Sequence, residues 1–479
     1  MTERTADKNG RRRLSRRLVL GALAVGVTAT LAACGEGGEA GPELTEFQES
    51  LLESGNIARA AASRPAGLVL PSDPLTVMFE QSPWGAQGND YRGFIGRAGT
   101  GGEGVVRLSP EPMPNAGDLT FGELLASFPE SKPVDLVVFP VSRLEDLEAN
   151  GRLTPLDKIS DVSHLLDADA YWGDTLSAGQ IRGRQMAIPL MLGPWLLMYN
   201  GARLGEYGIK PPGPDPWGLD VFSENVARLT YNAAGSAKPD AFGFVQVIPG
   251  ASGGTPVPPS WVWMTSAGAD LPGRDGGEHG LTSPEAIEAL KLMSGLAYEQ
   301  RTAYTVSGSN SWRQMRGILG DGKNGMMSFP ANSGWFVTTW RKDGGRAGGF
   351  DLAALPGGRG HHTPTEIHMM VGLSSSSREP EAAIVGLGQI YESIGDAMFP
   401  TAMKADVVRM KRASRSIRDD DVEALELALG KSRAIIFTGA ERNLLINQLD
   451  RPVFLERAEA QDAAEAARTA FEEVRFLAG

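Results

Sequence analysis

Short apolar segments alternate with helical stretches along most of the chain, and this alternation limits the possible folds more than any other feature. The runs at 75–79, 105–108 and 134–139 have the length and composition of buried strands. Helices are predicted where Ser283 and Glu379 each precede a proline, because proline suits the first turn of a helix. Strands alternating with helices indicate an α/β fold with mainly parallel sheets flanked by helices.

The first 33 residues differ from the rest of the chain. A basic run at 11–17 precedes a small-residue apolar stretch, the arrangement of an export signal. Within it, Arg16 and Arg17 precede Leu18 and Val19, which fits the twin-arginine pattern. We therefore predict export by the twin-arginine route, with the general secretory route as the alternative.

Cys34 is the only cysteine of the 479 residues, and it follows Leu31-Ala32-Ala33. This tetrapeptide resembles the bacterial lipobox, in which the cysteine becomes the first mature residue and carries lipid on its sulfur. The resemblance implies an exported protein anchored at the outer face of the cytoplasmic membrane. Residues 34–73 would then form a glycine-rich tether and a spacer helix near 44–62.

Charge and hydropathy exclude several classes of protein. The segment 1–33 holds seven basic and two acidic residues, so the net charge of −12 becomes −17 without it. Nucleic acid demands a basic surface, so an acidic chain of this kind is not expected to bind it. No later apolar stretch approaches the ~20 residues of a membrane span, so the lipid is the expected membrane attachment.

Several blocks, in order, resemble the extracellular solute-binding protein family that includes maltose-binding and other sugar-binding proteins. They are Pro133-Val134-Asp135-Leu136 with Gly151-Arg152-Leu153-Thr154-Pro155-Leu156, Gly183-Arg184-Gln185-Met186-Ala187-Ile188-Pro189 with Tyr199-Asn200, Pro216-Trp217 with the helix after it, Gly322-Lys323-Asn324-Gly325-Met326 with Gly334-Trp335, and Phe350-Asp351-Leu352-Ala353-Ala354-Leu355-Pro356. Arg184 and Met186 depart from the lysine and aromatic residue usual in the second block.

The resemblance implies a two-lobed periplasmic-binding-protein-like fold, with hinge strands joining lobes that close on a ligand. Lobe 1 would comprise residues 74–192 and 366–400, and lobe 2 residues 193–365 and 401–479. It also implies a monomeric, non-enzymatic subunit of an ABC importer that delivers a sugar to permease subunits. The sequence suggests no cofactor and no metal.

Sugars present hydroxyls at the rim and C–H bonds on their faces, so their sites combine aromatic platforms with polar groups. Glu80 and Arg143 lie just after predicted strands. The other candidates lie near strand ends or at positions where the family places ligand contacts. The candidate ligand-binding residues are Glu80, Ser82, Trp84, Phe139, Ser142, Arg143, Trp195, Trp263 and Trp335. Trp261 and Trp263 would face the same way if extended, and Ser142 also fits the N-cap of a capping box with Glu145.

Other motifs give weaker indications of function. The glycines at 99–104 satisfy G-x-G-x-x-G but precede a strand rather than a helix. Segment 317–324 lacks the final hydroxyl of a phosphate-binding loop. The histidine-rich segment 361–368 suits a solvated turn better than a metal site, although ligand contact by Glu366 or His368 stays open. A lipid-anchored glycoside hydrolase and a binding protein for a non-sugar solute such as a polyamine are the alternatives.

Overall fold

The chain was analysed as a computed structural model. The structure describes residues 68–80, 88–99, 105–112, 121–126, 132–159, 162–213, 215–232, 239–249, 257–271, 280–308, 325–330, 350–358, 360–395, 401–404, 418–437 and 439–478. The export segment, Cys34, the spacer helix near 44–62 and the 317–324 motif lie outside these ranges, as do Ser82, Trp84 and Trp335.

The strands of the described ranges, in chain order, are β1 Leu75–Phe79, β2 Leu108–Pro112, β3 Leu136–Phe139, β4 Leu153–Thr154, β5 Gln180–Ile181, β6 Arg184–Gln185, β7 Ala187–Asn200, β8 Phe244–Pro249, β9 Ala303–Gly308, β10 Met326–Pro330, β11 Phe350–Ala354, β12 Thr363–Ser374 and β13 Ser432–Ile435.

The α-helices of the same ranges are α1 Gly88–Ala98, α2 Phe121–Ala126, α3 Leu144–Ala149, α4 Gly201–Glu206, α5 Leu219–Leu229, α6 Pro259–Ala267, α7 Pro284–Tyr298, α8 Pro380–Gly395, α9 Asp419–Gly430, α10 Gly439–Leu445, α11 Arg451–Phe454 and α12 Ala460–Ala478. Strands and helices alternate over much of the chain, so the α/β class predicted from the sequence is confirmed.

Two groups of parallel strands form the sheet. In the first, β1 lies between β2 and β3 and pairs with both in parallel. In the second, β8 lies between β9 and β10, again in parallel. All five residues of β1 are buried, because its strand neighbours lie on both sides and α1 and α8 pack together nearby. Continuous apolar runs of this kind are typical of parallel strands covered on both faces.

The strands β7 and β12 join the two groups. The first part of β7 pairs antiparallel with β12, from Ala187 to Pro194. From Trp195 onward β7 pairs with β10 and β11 instead. At its other end β12 pairs with β3. Every one of the 14 residues of β7 is buried. Two α/β lobes joined by long strands are therefore present, as the sequence predicted.

The entry to β7 is a tight hairpin between β5 and β6. Its two central residues, Arg182 and Gly183, have φ angles of 51° and 73°. A two-residue turn of this hand matches the twist of the flanking strands, and glycine adopts positive φ without steric cost. The block Gly183-Arg184-Gln185 thus sets the direction in which the chain enters β7.

The second group of strands carries a large helical core built from α5, α6, α7 and the C-terminal helices. All nine residues of α6 are buried. A π-helical turn at Ile446–Asp450 places Asp450 at the start of α6, where its Oδ1 accepts the Ser260 N–H at 2.9 Å. This carboxyl group satisfies a backbone donor that the first turn of a helix leaves open.

Two expectations about secondary structure were wrong. The second strand begins at Leu108 and includes Pro110 and Pro112; proline is tolerated there because β2 ends the strand order and lacks a second neighbour in the described sheet. Trp261 and Trp263 are on the helix α6 rather than in an extended segment.

Candidate functional site

Glu80 and Arg143 meet at the carboxyl ends of the neighbouring strands β1 and β3. Glu80 follows β1 directly, and its N–H donates to the carbonyl oxygen of Val138 at 3.0 Å. Arg143 lies in the short 3₁₀ helix Val141–Arg143 after β3. Its Nε is 3.4 Å from Glu80 Oε2. Ligands of open α/β sheets bind outside the carboxyl ends of the strands, so this pair stands at a favoured place.

The Glu80–Arg143 pair is partly accessible, with side chains 26% and 37% exposed. Burial raises the pKa of Glu80, while the charge of Arg143 and its hydrogen bond oppose that rise. The guanidinium also lies 3.7 Å from the carboxylate of Asp146. Donors and acceptors are therefore held beside each other with their charges largely compensated, which suits hydrogen bonding to a polar, uncharged ligand.

Ser142 is exposed beside Arg143, but it caps no helix. The 3₁₀ turn is preceded by Pro140, and α3 starts at Leu144 with Arg143 in the N-cap position and no side-chain cap. The predicted capping box is therefore wrong, because the turn of 3₁₀ helix moves the N-cap of α3 from Ser142 to Arg143. Ser142 is exposed at the same edge of the sheet as Glu80, since β1 and β3 are neighbouring parallel strands.

Phe139 and Trp263 lie in the core, which contradicts their prediction as ligand platforms. Phe139, at the end of β3, has no exposed surface and pairs with Met370 of β12. Trp263 is 1% exposed and lies 5.4 Å from the Phe222 ring, stacked at 27°, and 5.7 Å from the Phe244 ring. Because 261–263 is helical and not extended, the Trp263 ring packs into this aromatic cluster.

Trp195 lies where β7 changes partner, and it belongs to a buried polar cluster. Its Nε1–H donates to Glu366 Oε1 at 2.9 Å. The other oxygen of Glu366 is 3.3 Å from His368 Nδ1. Trp195 and Glu366 are 5% and 2% exposed. Trp195 therefore stands at the crossing of the two long strands, with its indole enclosed.

Burial controls the ionisation of this cluster. It raises the pKa of Glu366 to about 8, although the Trp195 hydrogen bond and the charge of Arg442 act in the opposite direction. It lowers the pKa of His368 to about 4. Near neutral pH the glutamic acid is protonated and the histidine uncharged, because charged forms lose hydration in the interior.

The expectation that 361–368 forms a solvated turn was wrong from Thr363 onward. Residues 363–367 are all buried in β12. Three histidines, a glutamate and two threonines in the segment suggested exposure, whereas pairing of β12 with β7 and β13 encloses residues 363–367. The sequence signal that indicated a strand was the apolar run that follows, Met369 to Leu373, which continues the same strand.

The chain was compared with known proteins. Residues 115–385, more than half of the chain, match the model of the bacterial extracellular solute-binding protein family. The chain belongs to this family. A search of curated proteins gave no match.

Solved structures show the same fold. The cyclic α-maltosyl-1,6-maltose binding protein of Arthrobacter globiformis is 17% identical, with 84% of this solute-binding protein and 99% of that chain covered, at a TM-score of 0.63. The GacH receptor of Streptomyces glaucescens, solved unliganded and with acarbose, is 17% identical. The match covers 84% of this chain and 98% of that chain, with a TM-score of 0.57. A solute-binding protein of Agrobacterium radiobacter, solved with ribitol, is 18% identical. The match covers 85% of this chain and 100% of that chain, with a TM-score of 0.58.

Membership of this family makes the chain an exported solute-binding protein. Within the part of the chain that the structure describes, the helices fall short of the length and hydropathy needed to cross a bilayer. Among the same residues, histidine, aspartate and glutamate side chains form no group of three suited to a metal ion.

Proposed function

We propose that this solute-binding protein is the lipid-anchored substrate-binding subunit of an ABC importer and that it captures a neutral carbohydrate between its lobes. The observation that carries the proposal is the partly exposed Glu80–Arg143 pair at the carboxyl ends of β1 and β3. A carboxylate and a guanidinium offer acceptors and donors to the hydroxyls of one sugar ring. Similar structures with acarbose or ribitol support a polyhydroxylated ligand.

Charge compensation favours an uncharged ligand. A phosphate ester at this strand end would meet the carboxylate of Glu80, and a polyamine would meet the guanidinium of Arg143. Each charged ligand would therefore gain one attraction and one repulsion, and would also lose hydration. A hydroxyl group hydrogen bonds to both side chains without that cost. A carbohydrate therefore suits the Glu80–Arg143 pair better than a polyamine does.

A second concave surface is less suitable as a sugar-binding site. A groove of about 690 Å³ lies between α5 and α7, with Gln461 of α12 at its border. Its lining includes Asp220, Glu288 and Lys291 but no aromatic side chain. Sugars bind through aromatic platforms as well as hydrogen bonds, and Trp84 follows β1 closely in the sequence, so we assign the ligand to the strand ends of lobe 1 rather than to this groove.

The remaining parts of the proposal come from the sequence. Ser82 and Trp84 after β1, and Ser142 after β3, would complete the lobe 1 side of the site, with Trp195 at the crossing and Trp335 on lobe 2. Lobe 1 would comprise 74–192 with 366–400, and lobe 2 the remainder of the folded part. Permease subunits would receive the sugar from a monomer held at the membrane by lipidated Cys34 after twin-arginine export.

Ligand binding is tested on the chain with Cys34→Ser, screened by thermal shift against sugars, polyamines, amino acids and phosphate esters. A sugar at ~100 times its Kd should raise the stability by about 2.7 kcal/mol. Recovery of the sugar unchanged separates a binding protein from a glycoside hydrolase. Stabilisation only by a charged solute would contradict the carbohydrate assignment, and cleavage of the sugar would favour the hydrolase.

The site itself is tested by Arg143→Ala and Glu80→Gln. Loss of a hydrogen bond to a charged group costs ~1.5–3 kcal/mol, so the sugar Kd should rise roughly tenfold or more in each variant. Arg468→Ala is the matched control, because Arg468 is 39% exposed and paired with Glu472 on α12. Equal affinities in Arg143→Ala and Arg468→Ala would place the ligand elsewhere.

A further inference from the structure

The helices that pack on the second group of strands form a groove that the sugar site does not use. This groove of about 690 Å³ lies between α5 and α7. The residues that α7 contributes, from Pro284 to Glu299, recur every three or four positions and so form one stripe along the helix. At 1.5 Å per residue, the 15 residues of α7 span about 22 Å. The groove is therefore long enough to hold several turns of another helix.

The floor of the groove is apolar and continuous with the helical core. Leu219 and Ile287 line it, are 7% and 8% exposed, and belong to that core. Gly295 is buried about two turns further along α7. A Cβ at Gly295 would meet only the carboxylate of Glu299, at 3.8 Å, which is an ordinary contact. Apolar side chains of a partner can therefore reach the floor above this glycine.

The rim of the groove is acidic. Asp220 of α5, Glu288 of α7 and Glu299 just after α7 are all exposed there. Within the described part of the chain, no salt bridge engages these three carboxylates. Lys291 is the basic residue of the lining, so three carboxylates against one ammonium group leave a net charge of −2. The rim therefore attracts cationic side chains placed beside an apolar surface.

The acidic rim disfavours the occupants that this chain itself could supply. In a two-fold contact with a second copy, the same carboxylates would face each other. The predicted spacer segment 44–62 carries Glu46, Glu49 and Glu53 against Arg59, so it is acidic as well. The basic run at 11–17 belongs to the export segment whose removal the lipobox predicts. A separate, basic partner meets none of these obstacles.

We propose that the groove between α5 and α7 is a docking site for an amphipathic helix of a partner protein, with lysine or arginine beside its apolar face. Apolar residues at every third or fourth position would occupy the floor from Ile287 to Gly295, the usual way in which a helix binds a groove. Its cations would meet Asp220, Glu288 and Glu299 at the rim. The groove is built from other elements than the Glu80–Arg143 site, so this docking does not depend on the identity of the solute.

Binding is tested with a fluorescein-labelled synthetic peptide of about 15 residues, with leucine on one helical face and lysine beside it. Fluorescence anisotropy of the peptide is recorded as the Cys34→Ser chain is added. We expect saturable binding that weakens between about 0.05 M and 0.3 M salt, because salt screens exposed charges. The same peptide with glutamate in place of lysine should bind roughly tenfold more weakly or not at all. Equal binding of the two peptides would overturn a basic partner.

The groove is identified as the binding surface by two variants, each with a matched control. Gly295→Met fills the floor, keeps a good helix former in α7 and should raise the peptide Kd roughly tenfold. Gly205→Met, at an exposed glycine of α4 whose Cβ would have no neighbour within 4 Å, should leave the Kd unchanged.

Glu288→Lys should raise the peptide Kd roughly threefold to fivefold, because one rim attraction becomes a repulsion. Glu423→Lys makes the same change of charge at an exposed position of α9 and should have no effect. Equal Kd values for the two groove variants and their controls would show non-specific attraction to an acidic protein and refute the docking site.

Two further measurements decide whether the chain fills its own groove. Sedimentation velocity of the Cys34→Ser chain should show a species that Gly295→Met leaves unchanged. A dimer that this substitution dissociates would mean that a second copy is the occupant. Removal of residues 1–67, which precede the described ranges, should leave the peptide Kd unaltered. Much tighter peptide binding after that removal would assign the groove to the N-terminal segment. Either of these results would overturn a separate partner.

Discussion

Replacement of Asp450 by asparagine should change how the stability of the protein depends on pH. Asp450 has no exposed surface, and its Oδ1 accepts the backbone N–H of Ser260 at the start of α6. Burial raises its pKa from 3.8 to about 7, with the hydrogen bonds from Ser260 acting in the opposite direction. Asparagine keeps an acceptor of nearly the same shape but cannot ionise.

The direction in which stability changes with pH follows from which state of the protein, folded or unfolded, keeps the Asp450 proton. Between about pH 4 and pH 7 the folded state keeps the proton of Asp450, while the unfolded chain releases it. The free energy of unfolding therefore falls as the pH rises through this window, by ~1.4 kcal/mol per unit. Over the window this amounts to roughly 4 kcal/mol in wild type, and the Asp450→Asn variant lacks this contribution.

The assay is thermal unfolding of wild type and Asp450→Asn at several pH values from about 4 to 8. With an unfolding entropy of ~2 cal/mol/K per residue, 4 kcal/mol corresponds to about 5 °C in a folded part of about 400 residues. We expect the Tm of wild type to fall relative to that of the variant by about this amount as the pH rises. Asp462→Asn, an exposed change on α12, is the control. Parallel Tm profiles for wild type and Asp450→Asn would show that the carboxyl group is not held protonated, and the reasoning would fail.

Four further substitutions test the fold. Ser283→Ala removes the side chain that accepts the Ala286 N–H at 3.2 Å, and urea unfolding should show a loss of ~1 kcal/mol. Gly179→Ala would place its Cβ 1.8 Å from the carbonyl oxygen of Ala187; we expect little folded protein by circular dichroism, whereas Gly183→Asn should tolerate the positive φ and fold. Trp263→Leu empties part of the aromatic cluster and should lower the free energy of unfolding by ~3 kcal/mol, and an unchanged urea midpoint would contradict the buried position of the ring.

Local pattern predicted the elements that local chemistry determines. The run at 75–79 became β1 because four apolar residues and one β-branched threonine suit a strand covered on both faces. The proline after Ser283 correctly indicated the start of α7, where the serine side chain caps the helix. Glu80 and Arg143 could be proposed from the sequence because Glu80 directly follows β1 and Arg143 comes in the short turn after β3, and strand ends of a parallel sheet gather functional groups.

Pairing between distant parts of the chain was harder to foresee. Most residues around Glu366 in the segment 361–368 are polar, among them Thr365 and His368, so its own segment suggested a solvated turn. Its burial comes from β7, which lies 171 residues away at the Trp195 contact. Trp263 was misplaced for a different reason: its spacing from Trp261 fits an extended strand, whereas the apolar, fully buried α6 shows no polar face to reveal a helix. Only the assembled core decides such cases.

The shared strand β7 has a consequence for biosynthesis. When Asn200 leaves the ribosome, one edge of β7 has no partner until β12 is made, because Glu366 pairs with Gly193. During that interval a long apolar strand presents unpaired backbone groups, a state that favours aggregation. Contacts between residues so distant in sequence also slow folding. Synthesis of β12 therefore decides when either lobe can become stable, and a message truncated before Thr363 should yield an insoluble product rather than half a protein.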